Sequence, residues 1–109
     1  MNQAVLRIVG LPDDALGAAV AFHGEWLPRA RALMADGTNA LAIVLPDAAY
    51  DHGDWRRAAA RDLARASAPA RVNIVAGDDG QAVAATLAYL ERAPGVTGQY
   101  LRTAGDGTG

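Results

Sequence analysis

The chain alternates short, continuously apolar runs with longer stretches in which apolar residues recur every three or four positions. Residues 4 to 10, AVLRIVG, are rich in valine and isoleucine and end in LPDD, which predicts a first strand. From Asp14, DALGAAVAFHGEWLPRARALMAD carries Leu16, Val20, Trp26, Leu27, Ala30 and Leu33 at loosely helical spacing. Gly24 and Pro28 interrupt it, so the pattern predicts a kinked helix or two short ones, with Pro28 near the first turn of the second. Residues 38 to 47, TNALAIVLPD, are apolar without alternation, as in a strand covered on both faces, and AAYDHG reads as a short loop.

Asp54 is placed to cap a helix over WRRAAARDLARASA, whose apolar stripe is Trp55, Ala59, Leu63 and Ala66; Arg57, Arg61 and Arg65 repeat every fourth residue elsewhere. Beyond Pro69, RVNIVAG predicts a third strand. DGQAVAATLAYLERA follows as a helix with Val83, Leu87 and Leu90 on one side, and GQYLRTAG as a short last strand. Residues 104–109 read as a frayed tail. The order β-α-β-α-β-α-β predicts one α/β domain over residues 1–109: three-layer and Rossmann-like, with a four-stranded parallel sheet, three or four helices and right-handed crossovers. Ligands in such sheets sit beyond the carboxyl ends of the strands. Three acidic clusters fall there: Asp13 with Asp14, Asp47 with Asp51 and Asp54, and Asp78 with Asp79.

Composition narrows the chemistry. All ten basic residues are arginine, so neither a Schiff-base lysine nor the lysine of a phosphate-binding loop is available. There is no cysteine for a disulfide, a thiolate metal cage or a nucleophile. A net charge of -2 argues against a nucleic-acid partner, and no apolar run is long enough to span a bilayer. MNQAVLRIVGLPDD lacks a secretory pattern, so a soluble cytoplasmic protein is expected.

The acidic turns admit two readings. Carboxylates at strand ends can hold magnesium for phosphoryl chemistry, as in response-regulator receiver domains, but the lysine of that arrangement is missing. Aspartate just before a helix also accepts from unpaired amides and complements the helix dipole, and this is the favoured reading, Asp79 capping the helix from Gly80; no metal is expected. Tyr50, His52 and Asp54 form the one dense polar group with a histidine and are the catalytic candidates. Asp47, Gly77, Asp78 and Asp79 are the ligand-binding candidates. His23 reads as packed in its helix. The ridge of Arg57, Arg61 and Arg65 reads as a solvated helix face.

The stretch ARVNIVAGDDGQAVAATLAYLERAPGVTGQYLRTAG resembles the short-chain dehydrogenases/reductases. RVNIVAG is similar to that family's sixth strand, and AVAATLAYLERAPGVTGQYLRTAG to its last helix and strand. RRAAARDLARASAPARVN resembles the helix that bears the catalytic tyrosine and lysine, and LPRARALMADGTNALAIVLPD the preceding helix and fifth strand. The likeness runs over about residues 4 to 105 and is specific from about residue 56 onward. The departures are chemical. Pro46 and Asp47 stand where the family's serine follows the fifth strand. Tyr50 lies within about one position of the family's tyrosine, yet Gly53 or Asp54 replaces its lysine, and neither can lower a phenol's pKa or hold a ribose. AGDDG replaces the Pro-Gly turn. The family's glycine-rich dinucleotide-binding half has no counterpart in the sequence.

These departures imply a non-catalytic relative that binds no cofactor and acts as an oligomerising or partner-binding subunit. Its expected partners are a second copy of itself or a full-length dehydrogenase-like protein. In the parent fold the first strand here would be central, so AVLRIVG becomes an open edge, with Arg7 in its middle. The resemblance places the expected interface on the helices, through Trp26, Leu33, Trp55, Ala59, Leu63 and Ala66. The rival expectation is a small ligand-binding domain or enzyme using the strand-end crevice, an oxidoreductase component completed by a partner being one form of it.

Overall fold

The computed structural model describes residues 3–103; the expected frayed tail, 104–109, lies outside the described residues. Four strands, β1 (Gln3–Arg7), β2 (Ala40–Leu45), β3 (Arg71–Ala76) and β4 (Tyr100–Arg102), form one sheet in the order β1-β2-β3-β4 with every neighbouring pair parallel. The register runs Leu6 to Ile43 to Ile74 to Tyr100 across the sheet. β2 is buried at all six positions, which is why its sequence shows no alternation.

The stretch between β1 and β2 is one continuous helical run in three parts. α1 (Ala15–Ala21) starts at Asp14, whose carboxylate accepts from the Gly17 amide at 2.7 Å. A π-helical segment, Phe22–Trp26, then widens the coil, the Leu27 amide reaching back to the Phe22 carbonyl. α2 (Leu27–Ala35) follows with Pro28 in its first turn. The physical reason is Pro28 itself: it cannot donate to the carbonyl one turn back and its ring needs room there, which a wider turn supplies without breaking the helix. Gly37, at φ +88°, ends α2 in the left-handed conformation that glycine adopts without cost.

α3 (Gly53–Ser67) follows a single 3-10 turn, Tyr50–His52, within the expected loop. The helix therefore begins before Asp54, which lies inside the first turn instead of capping it. The inward face of α3 is also turned by about one residue from the expected stripe: Arg56, Ala59, Ala60, Leu63 and Ala64 are buried, Trp55 is half-buried and Ala66 is exposed.

α4 (Gly80–Glu91) covers the other face of the sheet. Ile8, Leu41, Ile43, Leu45, Val72 and Ile74 pack with Phe22, Ala30, Ala59 and Leu63 from the first three helices, whereas Val44 and Val75 pack with Val83 and Leu90 of α4. All strands step across the sheet in one direction, so the β3-α4-β4 crossover has the opposite hand from the other two. The expectation of right-handed crossovers throughout fails at this connection. A parallel sheet needs cover on both faces, and with one face filled by α1, α2 and α3, the exposed side of Val44 and Val75 is what α4 buries.

Candidate functional site

The carboxyl ends of the strands gather most of the polar residues singled out above, and the geometry gives each a structural partner. His52 is 4% exposed. The Trp55 indole N–H donates to its Nδ1 at 3.3 Å, so its proton sits on Nε2, which donates to the Asp13 carbonyl at 2.9 Å. Both ring nitrogens are engaged, and the imidazole ties the turn after β1 to the start of α3. Tyr50, two residues away, points outward and is 91% exposed. The Asp54 side chain is also exposed and pairs with Arg57 at 3.1 Å. The three catalytic candidates thus diverge: one is a buried strut, one faces solvent, one belongs to a helix-surface ion pair.

The ligand-binding candidates are drawn closer together. The Asp47 amide donates to Asp78 Oδ1 at 3.1 Å, and Asp47 Oδ1 accepts from Arg102 at 3.2 Å, so the ends of β2, β3 and β4 are laced to one another. Gly77 donates its amide to the Leu45 carbonyl at 3.1 Å. The Thr103 side chain lies so close to Gly77 that any Cβ there would collide with it, which explains the glycine. Asp79 caps α4, accepting from the amides of Gln81 at 2.9 Å and Ala82 at 3.4 Å. Among the described residues no three His, Asp or Glu side chains gather around a common point suited to a metal ion.

Of the interface candidates, Ala59 and Leu63 lie in the core between α3 and the sheet, and Trp26, Leu33 and Trp55 are half-buried against it. Ala66 borders a groove of about 310 Å³ with Arg31, Met34, Leu63 and Ala70. That groove is at the amino-terminal edge of the sheet, the end opposite to where α/β ligands bind. The outer side of α3 carries Asp54, Arg57, Arg61, Asp62 and Arg65, all exposed.

Two sets of residues play larger parts than their pattern suggested. Arg56 is 1% exposed. Its Nη1 donates to the Pro46 carbonyl at 2.9 Å and the Tyr100 hydroxyl at 3.3 Å, and the guanidinium lies over the rings of Trp55 and Tyr100. It takes part in no ion pair among the described residues, and its Nε is buried without a partner. Stacking and carbonyl contacts thus stand in for a counter-ion. Counting back from Leu63 and Ala60 by helical steps would have placed Arg56 inward; its charge hid the signal.

The second set is the Arg-Val-Asn of β3. Arg71 donates to the carbonyls of Leu90 and Ala93 at 3.0 Å each, and so holds the carboxyl end of α4. The Val72 amide donates to Thr97 Oγ1 at 3.0 Å. Buried Asn73 donates to the Val96 carbonyl and accepts from the Gln99 amide, both at 3.0 Å. The motif is a clamp on the α4–β4 connection.

A parallel sheet with helices on both faces, laced at its strand ends and clamped through Arg71 and Asn73, defines a Rossmann-like α/β domain. Residues 6–103 match the family described as short chain dehydrogenase-like protein, and the chain belongs to that family. No curated protein and no solved structure matches it.

The residues present do not fit the nicotinamide cofactor that the wider dehydrogenase fold implies. Thr103 fills the space beside Gly77, the Asp78 carboxylate is held on the Asp47 amide at the strand ends, Arg102 there is paired with Asp47, and the chain has no lysine to hold a ribose.

Proposed function

We propose that this chain is a non-catalytic member of the short-chain dehydrogenase-like family that works by association, as a homo-oligomer or as a subunit joined to a full-length relative. The observation that carries the reading is His52. The histidine that would serve as base has both nitrogens engaged in buried bonds to Trp55 and Asp13, while Tyr50 faces away from it. A general base must reach the proton it abstracts, and His52 could do so only by giving up one of these bonds.

Surface chemistry supports the second half of the proposal. Leu16 and Val20 lie one turn apart on α1 and are both exposed, as is Val9 after β1. Sedimentation of the purified chain from micromolar to near-millimolar concentration, with affinity capture from the native cell, tests the reading. Concentration-dependent association or recovery of a dehydrogenase-like partner supports it. A well-folded monomer that recovers no partner refutes it.

A further inference from the structure

β1 is an edge strand whose main chain is unpaired on its outer side among the described residues. The Ile8 amide donates inward to the Val44 carbonyl at 2.9 Å. Amide and carbonyl directions alternate along a strand, so Ala4, Leu6 and Ile8 face β2. Gln3, Val5 and Arg7 turn their N–H and C=O groups outward. The same three side chains, with Val9, lie on the α4 side of the sheet, where α4 packs on Val44 of β2 and Val75 of β3 and leaves β1 partly bare. Val5 is 38% and Val9 76% exposed. The strand has no proline, and its one charge is Arg7. An open edge of this kind is a template for another strand.

We infer that the β1 edge is the seam between two copies of this chain, joined antiparallel across a two-fold axis at Val5 to make one continuous sheet. The inference rests on the association reading above and says where the contact lies. Symmetry and charge choose both the occupant and the register. With Val5 opposite Val5 of the second copy, the two residues with outward-facing groups exchange both hydrogen bonds. Arg7 falls opposite the uncharged Gln3, whose main chain also faces outward, so that pair bonds in the same way. On the bare face valine meets valine. A register centred on Arg7 would set like charges against each other, and one centred on Leu6 would set Val5 against Arg7. The seam by itself is smaller than a standard interface, so the dimer forms in the micromolar range or above.

The test is a charge pair at the axis. Val5→Asp places two carboxylates opposite one another and Val5→Lys two ammonium groups; each variant alone associates about tenfold more weakly than the parent chain. Mixed in equal amounts they recover association, because only the mixed dimer sets opposite charges together. A misfolded variant would not be rescued by mixing. Arg61→Asp, exposed on the outer side of α3 and away from β1, leaves association unchanged. Sedimentation equilibrium reads all four samples beside the parent chain. If the parent chain associates and both Val5 variants associate as it does, or the mixture shows no recovery, the seam is wrong and the association reading stands. If the parent chain stays monomeric at every concentration, the seam falls together with self-association.

Discussion

The two edges of the sheet are built in opposite ways. At the β4 edge the strand is only three residues long, yet side chains of β3 and α3 reach across to fasten it and the chain leading into it: Arg71 on the end of α4, Asn73 on Val96 and Gln99, and, from α3, Arg56 on Tyr100. At the β1 edge the strand is longer and held mainly by its ladder to β2, with Gln3 donating to the Leu87 carbonyl of α4 and His52 tying down Asp13 in the turn that follows. The short strand depends mostly on side chains around it, the longer one mostly on its ladder. Both edges turn main-chain groups outward among the described residues, but the β1 edge offers a strand of five residues and the β4 edge one of three.

The contrast yields graded outcomes. Asn73→Ala removes a buried amide that serves two backbone groups at once, and the unfolding midpoint in urea is expected to fall by the equivalent of about 2–4 kcal/mol. A loss within about 0.5 kcal/mol would show that the clamp does not secure the β4 edge. His52→Ala strips the turn after β1 of its strut and is expected to cost about 1–3 kcal/mol. Tyr50→Phe, two positions away, changes stability by less than about 0.5 kcal/mol. Equal losses at the two positions would mean that the buried and exposed halves of this turn are not distinct. Asp79→Ala deletes the α4 cap for about 1 kcal/mol, read as a lower thermal midpoint. Arg7→Gln, on the open edge, leaves the stability of the dilute monomer within about 0.5 kcal/mol. A larger change there would mean that the edge is already in use within one chain.

Much of the architecture was legible because local chemistry specified it. The unalternating apolar run of β2 announces burial on both faces, and Asp14 and Asp79 sit where orphan amides need acceptors. The likeness of RVNIVAG and the segment after it to a dehydrogenase strand, helix and strand was readable from those residues, and the family match over 6–103 bears out that recognition. What escaped depends on distance or on rotation. His52 looked like part of a polar surface loop because its partner Asp13 is 39 residues away in sequence. The inward face of α3 was misjudged by about one residue because the inward position holds an arginine, and arginine seldom enters a core without a carboxylate. The Pro28 disturbance was visible, but its resolution as a π-helical segment was not, since a kink and a widened turn disrupt the same carbonyl. Asp54 resembled a cap because nothing in its neighbourhood shows that a 3-10 turn starting four residues earlier leads into the helix.

The opposite hand of the last crossover bears on the order in which the molecule assembles. α4 has its floor in Val44 and Val75, one from β2 and one from β3, and no such floor exists until those strands have paired. The clamp that carries the chain on to β4 is made by Arg71 and Asn73, which are fixed in place by the same pairing. The central strands with α1, α2 and α3 can therefore collapse as a unit while residues 80–103 are still loose, and the final helix and strand close onto a surface already formed. Contacts that must wait for such a surface add to the time a parallel sheet takes to complete.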